Sequence, residues 1–546
     1  MKSKMSKLKK SLLCAALAAV CCASFAGCSF GKVATSGSNS DTVLDVYILW
    51  AGYRTAWLDP IKDAFVKQYW VKEKYGDVKV NVTSNDLGTY ATDRIKNGAE
   101  FDLYFGQSLR ELYLEDYNRQ PVCEDLTDLL GETVPGEDIT FGDKLLPGFQ
   151  SSCRFVDDRG NVKYYSVPYA AGMTGIYYNH DLLEEYNIDV PLTTDQFKTA
   201  CDTITEGEGY AIMSSATQAP YWVYLYSTFW GQYEGVDKYR EFFSGTIDGK
   251  LAETGKDLVL SQTGMLRSME ALEGILSGNH LIDTANSLLF MQAQTNFITG
   301  RGAFMAAGDW FDMEMYQERT DRIEAGQTLP TVSMMRTPVI SSIVEKLSYR
   351  DEDGSYMDDT MLQDLIKDVD AGKESPTNTK VSQDDYDIVR EARNVVYSIG
   401  PGHNAVIPSY SPAKELAKDF LLYMATDEAC TMYFENTQGA QLPFRFDAKT
   451  ICPDVYAEMP LTGQMRCDFY AAKEGFSVSM LPYEGEFPLV IYGGISAMPG
   501  NVTSFEIFFG SKATEDRRSP KTLYEGAQNN WAGDRWQMAL ENAGLI

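Results

Sequence analysis

The chain has 546 residues, a formal net charge of −29 and a hydrophobic fraction of 44%. An acidic chain of this kind is poorly suited to nucleic acid, because contacts with phosphate require a basic surface. Its length exceeds what one hydrophobic core normally organises, so we expect two or more lobes.

The N-terminal segment predicts export. Five lysines stand among the first ten residues, and an apolar stretch follows over residues 11–26. An apolar run of about 15 residues is too short to cross a bilayer as a helix, which predicts a cleaved signal peptide over residues 1–27. Residues 28–42 are rich in Ser, Gly and Thr, and we expect them to form a flexible tether.

The residues Phe25-Ala26-Gly27-Cys28 resemble the lipobox of bacterial lipoproteins, although Phe25 stands where that family usually has leucine. The resemblance implies that Cys28 is acylated (a palmitate-type modification) and becomes the new N-terminus. It therefore implies a lipid-anchored protein on the extracellular face of the cell membrane. The alternative is an ordinary secretion signal with a chance cysteine.

Six cysteines follow Cys28 and are widely and irregularly spaced, at positions 123, 153, 201, 430, 452 and 467. Without a Cys-x-x-Cys pair, and with few histidines, the sequence predicts no metal site and no cofactor. Disulfides are possible outside the cell, but the spacing leaves their connectivity open, and buried thiols are the alternative. The turn Asp351–Gly354 resembles a fragment of a calcium loop but lacks its terminal glutamate, so a bound calcium ion is only a minor alternative.

After the tether, short apolar strands alternate with helices. The predicted elements are strand 44–50, helix 57–75, strand 78–82, helix 89–97 and strand 101–105. This alternation predicts an α/β fold with a parallel sheet. Ligands of such sheets lie beyond the carboxyl ends of the strands, which points to the loops that start at Trp50, Thr83 and Gly106.

Three stretches resemble the extracellular solute-binding proteins of ABC importers, in the carbohydrate-binding group that includes maltose-binding protein. They are residues 165–197, with Pro168 at a crossing between lobes, residues 293–310, which end in Gly308-x-Trp310, and residues 405–445. The resemblance implies a two-lobed, type II periplasmic-binding-protein-like α/β fold, with a ligand cleft between lobes joined by a hinge.

The resemblance also implies how the chain is divided and what it does. The N-terminal lobe is expected at 43–167 and 400–445, and the C-terminal lobe at 168–399 and 446–546, with an acidic surface insertion at about 341–392. The expected function is that of a monomeric receptor, not an enzyme, which captures a carbohydrate such as an oligosaccharide. The receptor would deliver it to the membrane permease of an ABC transporter.

A sugar site needs flat aromatic faces and planar polar groups. Candidates that stand at strand ends or in loops near the expected cleft are Trp50, Tyr53, Asn85, Gln107, Ser108, Tyr169, Tyr221, Trp222, Asp309 and Trp310. Trp310 leads this set, because the Gly-x-Trp position of the family commonly supplies a stacking ring. His403 is interpreted as a structural histidine, and Tyr224, Tyr226 and Phe229 as the core stripe of a helix.

Two alternatives remain open at the level of sequence. A secreted carbohydrate-active hydrolase would need two opposed carboxylates, and no local pattern singles out such a pair. A binding protein for a peptide, a polyamine or a uronate would share the fold but differ in cleft charge. Arg54 and Arg110 lie near the predicted cleft loops and keep an acidic sugar possible.

Overall fold

The computed structural model describes residues 41–50, 52–85, 90–98, 101–107, 109, 112, 122–146, 148–156, 161–470, 478–499, 502–510 and 519–546. Cys28, Ser108 and Arg110 lie outside the described residues. Eight strands form the two larger sheets: β1 (Val43–Leu49), β2 (Lys79–Asn85), β3 (Leu103–Gln107), β4 (Val167–Pro168), β5 (Thr174–Asn179), β6 (Phe304–Gly308), β7 (Val332–Met335) and β8 (His403–Val406).

The first sheet contains the three N-terminal strands and two strands from later in the chain. Its order is β2-β1-β3-β8-β4. Strand β1 is parallel to β2 and to β3, and Val46 pairs with both Val82 and Leu103. The prediction of parallel strands is therefore confirmed for this part of the chain. Strand β8 runs antiparallel to both β3 and β4 and brings His403 opposite Gln107.

Helices of six or more residues surround the sheets. They are α1 (Leu58–Phe65), α2 (Tyr69–Tyr75), α3 (Tyr90–Lys96), α4 (His180–Glu185), α5 (Thr194–Glu206), α6 (Trp222–Glu234), α7 (Val236–Ser244), α8 (Gly255–Leu260), α9 (Thr263–Leu276), α10 (Phe290–Ile298), α11 (Phe311–Glu324), α12 (Asp359–Asp370), α13 (Gln383–Asn394), α14 (Lys414–Met424), α15 (Asp427–Asn436), α16 (Pro453–Glu458), α17 (Leu461–Tyr470), α18 (Phe505–Gly510), α19 (Pro520–Asn530) and α20 (Asp534–Asn542). The single helix predicted over residues 57–75 is divided into α1 and α2, because the backbone is extended at Gln68 (ψ 134°).

The second sheet is smaller and antiparallel, in the order β6-β5-β7. The central strand β5 pairs Tyr178 with Phe304 on one side and Ile176 with Met335 on the other. Every residue of β5 and β6 is buried, which is why both strands consist of small, aromatic and aliphatic side chains rather than an alternating pattern.

Two large hydrophobic cores accompany the two sheets. The first core includes Leu44, Phe105 and Phe420, and the second includes Tyr177, Phe197 and Trp230. Residues 448–470, which the predicted division gives to the C-terminal lobe, contribute Ala448, Cys452, Met459, Cys467 and Tyr470 to the first core. Helix α17 in this segment also contacts β7 of the second sheet, so it packs against both parts.

The acidic segment at 341–392 packs its apolar side chains into the second core. In α12, the Asp358 side chain accepts a hydrogen bond from the Met361 N–H at the helix start, and Leu362, Ile366 and Val369 are buried. Tyr386 of α13 is buried as well. Most of the acidic residues occupy the outer faces of these amphipathic helices, whose inner faces are part of the fold. Asp368 and Asp385 are buried instead, and they accept hydrogen bonds from the Thr377 N–H and the Ser348 N–H respectively.

The six cysteines after Cys28 lie within the described residues, and all are buried thiols. Burial raises the pKa of the Cys123 thiol to about 12, as expected for a thiol held in apolar surroundings. Within the described part of the chain, no helix is long and apolar enough to cross a membrane.

Candidate functional site

A cleft of about 380 Å³ lies where loops of the first sheet meet helix ends of the second core. Its lining combines aromatic rings with a few polar side chains. The lining residues are Gly52, Gln107, Tyr221, Tyr224, Trp310, Glu314, Tyr397, Ile399, Gly402, His403 and Tyr483. A concave site with an aromatic lining and few polar groups is the usual setting for a small ligand.

Three tyrosines form a continuous stacked series along one wall. The ring centroids of Tyr221 and Tyr224 are 5.4 Å apart at 21°, and those of Tyr224 and Tyr397 are 5.4 Å apart at 17°. Trp310 meets Tyr221 edge-on, with a centroid distance of 5.7 Å and an angle of 79°. The wall therefore consists of aromatic rings held in fixed orientations, against which the apolar C–H groups of a ring-shaped ligand could pack.

The position of Trp310 depends on two glycines. A Cβ at Gly308 would lie 2.0 Å from the Trp310 ring, so the ring folds back over its own strand only because that residue is glycine. A Cβ at Gly52, in the loop after β1, would lie 3.3 Å from Trp310 Cβ, and Gly52 has a φ of +58°. The Gly-x-Trp motif thus has a steric basis, and it brings the tryptophan against the first sheet's loop.

Glu314 is the one carboxyl side chain among the described residues that line the cleft, and it lies in the first turn of α11. Gln294 of α10 donates from Nε2 to Glu314 Oε2 over 2.7 Å. Arg54 donates from Nη2 to the Glu314 backbone oxygen over 3.4 Å. Burial raises the pKa of Glu314 to about 7, and the bond from Gln294 and the charge of Arg54 oppose that rise.

Gln107 and His403 form the polar part of the lining on the first sheet. Gln107 Nε2 and His403 Nε2 are 3.3 Å apart, across the pairing of β3 with β8. The Tyr169 hydroxyl oxygen is 3.5 Å from His403 Nδ1. Burial lowers the pKa of His403 to about 4, so the imidazole is neutral at physiological pH and serves as a fixed hydrogen-bonding group.

Of the predicted ligand residues, Gln107, Tyr221 and Trp310 line the cleft. Tyr53 and Asp309 lie beneath it and bond to each other. The Tyr53 hydroxyl donates to Asp309 Oδ1 over 2.7 Å, and the Gln441 backbone N–H donates to Asp309 Oδ2 over 2.9 Å. Asp309 is fully buried, and this burial raises its pKa to about 6. The pair joins the first core to the end of β6 below the aromatic wall.

The other described candidates do not line the cleft. Tyr169 is buried and stacks on Trp57, with ring centroids 6.2 Å apart, and Trp222 is buried and stacks on Phe197 in the second core. Trp50 is 45% exposed, and the Arg54 guanidinium carbon lies 4.3 Å from its ring centroid. The backbone oxygen of Asn85 accepts a hydrogen bond from the Trp50 N–H.

Several lining residues were not among the sequence candidates: Tyr224, Glu314, Ile399, Tyr397 and Tyr483. Tyr224 was interpreted as core, and its helix does bury Tyr226 and Phe229. However, Tyr224 stands three residues after Tyr221, and this helical spacing places the two rings on one face. The spacing could have identified Tyr224. Glu314 follows Trp310 by four residues at the start of α11, so the same reasoning could have identified it. Ile399, Tyr397 and Tyr483 come from distant segments that share no local pattern with the strand ends.

The model of the family "Bacterial extracellular solute-binding protein" matches residues 50–429. This chain belongs to that family. The two-lobed type II binding-protein fold expected from the sequence is confirmed. Family members are non-catalytic, extracellular proteins that work with ABC transporters. A comparison with curated protein sequences gave no match for this solute-binding protein.

Solved structures with a similar fold cover nearly the whole described chain at low identity. RafE from Streptococcus pneumoniae, in its apo form, has 14% identity and a TM-score of 0.55, and the match covers 90% of this chain and 97% of RafE. RafE in complex with raffinose gives a TM-score of 0.51 at 13% identity, and the match covers 89% of this chain and 98% of RafE.

Two further structures agree with this solute-binding fold. A probable secreted solute-binding lipoprotein from Streptomyces coelicolor has a TM-score of 0.54 and 14% identity, over 90% of this chain and 99% of its own. An ABC transporter solute-binding protein from Thermotoga lettingae, bound to α-D-tagatose, has a TM-score of 0.51 and 15% identity. The match covers 91% of this chain and 100% of the Thermotoga lettingae protein. At these identities the likeness concerns the fold.

Among the described residues, no group of three or more His, Cys, Asp or Glu side chains could hold a metal ion.

Proposed function

We propose that this protein is a lipid-anchored receptor on the extracellular face of the cell membrane, which captures a carbohydrate in the aromatic cleft and passes it to an ABC permease. The observation that carries the proposal is the wall formed by Trp310, Tyr221, Tyr224 and Tyr397 beside Gln107 and Glu314. Stacked rings suit the C–H faces of a sugar, and amide and carboxyl groups suit its hydroxyls.

The ligand class is supported by two proteins that share the fold and were solved with a sugar bound. RafE was solved with raffinose, and the Thermotoga lettingae protein with tagatose. A volume of about 380 Å³ suits a mono- or disaccharide unit, and the cleft is open enough for a longer chain to extend from it. An oligosaccharide therefore fits the proposal.

A thermal-shift screen against neutral sugars, oligosaccharides, amino acids, peptides and polyamines tests the ligand class. A ligand that binds only the native state raises the apparent melting temperature, and the stabilisation grows with the logarithm of one plus the ratio of the free ligand concentration to Kd. We expect shifts with one group of saccharides, followed by a 1:1 calorimetric titration. Stabilisation by non-carbohydrates alone would contradict the carbohydrate assignment.

The anchor is proposed to be an acyl group on Cys28. Its support is the lipobox-like sequence that ends at Cys28, together with the structural similarity to the probable secreted solute-binding lipoprotein from Streptomyces coelicolor. We expect Cys28→Ser to move the protein from the membrane fraction to the medium without changing its ligand shift. Size-exclusion chromatography with light scattering should show the released protein as a monomer.

We also propose binding without turnover. A glycoside hydrolase needs two carboxyl groups about 5 to 10 Å apart across the scissile bond. Among the described residues that line the cleft, Glu314 is the one carboxyl side chain. Incubation with each stabilising oligosaccharide should release no reducing ends, and release that is lost in Glu314→Gln would contradict the proposal.

A further inference from the structure

Glu314 and Gln294 form a small group of hydrogen-bond acceptors at the cleft. Because the Gln294 amide nitrogen donates to Glu314, its oxygen Oε1 points elsewhere, and Oε1 is buried without a hydrogen-bond partner among the described residues. Gln294 is only 3% exposed. Buried acceptors normally have a donor, so this orphaned oxygen indicates that a donor from outside the protein completes the group.

There is space for such a donor. Tyr221, which lines the cleft, also lines a second cavity of about 20 Å³ together with Gln294. A volume of this size admits one water molecule or one hydroxyl or amino group. Glu314 in the cleft and Gln294 in this cavity are thus two neighbouring acceptors, joined by their own hydrogen bond.

The charges around this group favour donors and oppose anions. No lysine or arginine is among the described residues that line the cleft. The nearby Arg54 guanidinium packs over the Trp50 ring at 4.3 Å and donates to the backbone of Glu314. Aromatic faces attract cations rather than anions. Burial raises the pKa of Glu314 to about 7, and a ligand carboxylate beside it would raise that pKa further, so the binding of an anion to the ionised side chain costs electrostatic energy.

Building on the proposed capture of a saccharide, we propose that Glu314 sets the charge preference of the cleft. The site accepts neutral or amine-bearing saccharides, whose hydroxyl or ammonium groups donate to Glu314 and Gln294, and rejects saccharides that carry a carboxylate. Glu314 is thereby a specificity-determining residue, and the uronate alternative left open by the sequence is disfavoured by the cleft itself.

The first test uses the wild-type protein at pH 8, where Glu314 is ionised. Neutral, glucosamine-containing and uronate-containing di- to tetrasaccharides of matched length are screened by thermal shift, and each hit is measured by calorimetry. We expect every hit to be neutral or amine-bearing. Hits confined to uronates would overturn the inference and leave the proposed carbohydrate receptor intact. The absence of any saccharide hit would instead contradict the proposed function, and the inference with it.

The second test compares Glu314→Gln with a matched control, Glu318→Gln. Glu318 lies one turn further along α11, pairs with Arg322 and is not among the lining residues. Removing the Glu314 charge should raise the affinity for a uronate probe, relative to its neutral counterpart, by about tenfold or more. Glu318→Gln should leave that ratio unchanged. If a folded Glu314→Gln protein has the same ratio of uronate to neutral affinity as wild type, the inference is overturned. If that variant does not fold, the screen of the wild-type protein decides.

Discussion

Trp310 occupies a position that its neighbours fix from both sides. Its ring lies over Gly308 and against Gly52, is 4% exposed, and still forms part of the cleft lining. Such a side chain both packs the protein and offers an edge to a ligand. The contribution of Trp310 to packing can be separated from its contribution to ligand binding by comparison with a tryptophan that packs without lining the cleft.

Trp222 provides that comparison, because it is 1% exposed and packs in the second core. Replacing either tryptophan by alanine should lower the free energy of unfolding by about 3 to 5 kcal/mol. In Trp310→Ala, the thermal shift produced by the stabilising saccharide should be largely lost. In Trp222→Ala, measured well below its melting temperature by calorimetry, the affinity should stay within about twofold of wild type. Equal loss in both variants would remove Trp310 from the ligand site.

The sequence identified part of this site for a physical reason. Gln107, Tyr221 and Trp310 stand at the end of a strand, the start of a helix and a Gly-x-Trp turn, and each of these places is recognisable locally. Tyr397 and Tyr483 could not be found in this way, because only the tertiary fold brings them to the wall. Tyr53 and Asp309 stand at equally recognisable places, but their mutual hydrogen bond uses the polar atoms beneath the cleft.

At the scale of elements, α17 connects the two parts of the fold through Arg466. The Arg466 guanidinium donates from Nη1 to Asp312 Oδ2 and to the Tyr177 hydroxyl, each over 2.8 Å, and from Nη2 to the Gln438 backbone oxygen over 3.0 Å. Arg466 is 1% exposed and Asp312 is 4% exposed. A helix of the first core is thereby held to the start of α11, directly below the cleft wall.

Breaking this pair from one side should be costly. Arg466→Ala leaves the Asp312 carboxylate buried without its cation, and we expect the free energy of unfolding to fall by about 3 to 5 kcal/mol. The double variant Arg466→Met with Asp312→Leu should be clearly more stable than Arg466→Ala, because it removes both charges. Urea denaturation of wild type, Arg466→Met, Asp312→Leu and the double variant measures the coupling, because the same two substitutions are then compared singly and together. Additive losses would show that the two side chains do not act as a pair.

The elements themselves were predictable to different degrees. Strands β1 to β3 carry enough β-branched and aromatic residues that their predicted bounds fall within a few residues of those observed. The interruption between α1 and α2 has no glycine or proline to mark it, and so the sequence predicted one continuous helix. The packing of the segment at 341–392 was equally hidden, because its acidic outer faces dominate its composition.

At the scale of the whole molecule, buried carboxyl groups link stability to pH. Burial raises the pKa of Glu314, Glu484 and Glu506 to about 7 and that of Asp309 to about 6. A carboxyl group with a raised native pKa stays protonated in the native state over a range where the unfolded chain has lost the proton. Its contribution to stability is present below its unfolded pKa and is lost as pH rises through the native value.

His403 acts in the opposite direction, because its native pKa is lowered to about 4, and its contribution is lost as pH falls from about 6.5 towards that value. Four carboxyl groups lose their contribution to stability as pH rises, whereas only His403 among these five groups regains one. We therefore expect the free energy of unfolding to be lower at pH 8 than at pH 5. In Glu484→Gln that difference should shrink by about 2 to 3 kcal/mol, since one buried ionisation is removed.

Urea denaturation at the two pH values measures this difference. Glu253→Gln, which changes an exposed carboxylate, is the control and should leave it as in wild type. A pH difference that is the same in Glu484→Gln and in wild type would contradict the role assigned to the buried carboxyl group.

The placement of β8 in the first sheet also bears on how the chain reaches its native state. Strand β8 lies between β3 and β4, so Ala405 pairs with Phe105 and Val167. A polypeptide made from its N-terminus exposes the inner edge of β3 until roughly three hundred further residues have been synthesised. Closing such a long loop is slow, and an unpaired strand edge can join the wrong partner in the meantime. The order of synthesis therefore favours late, concerted completion of the first sheet.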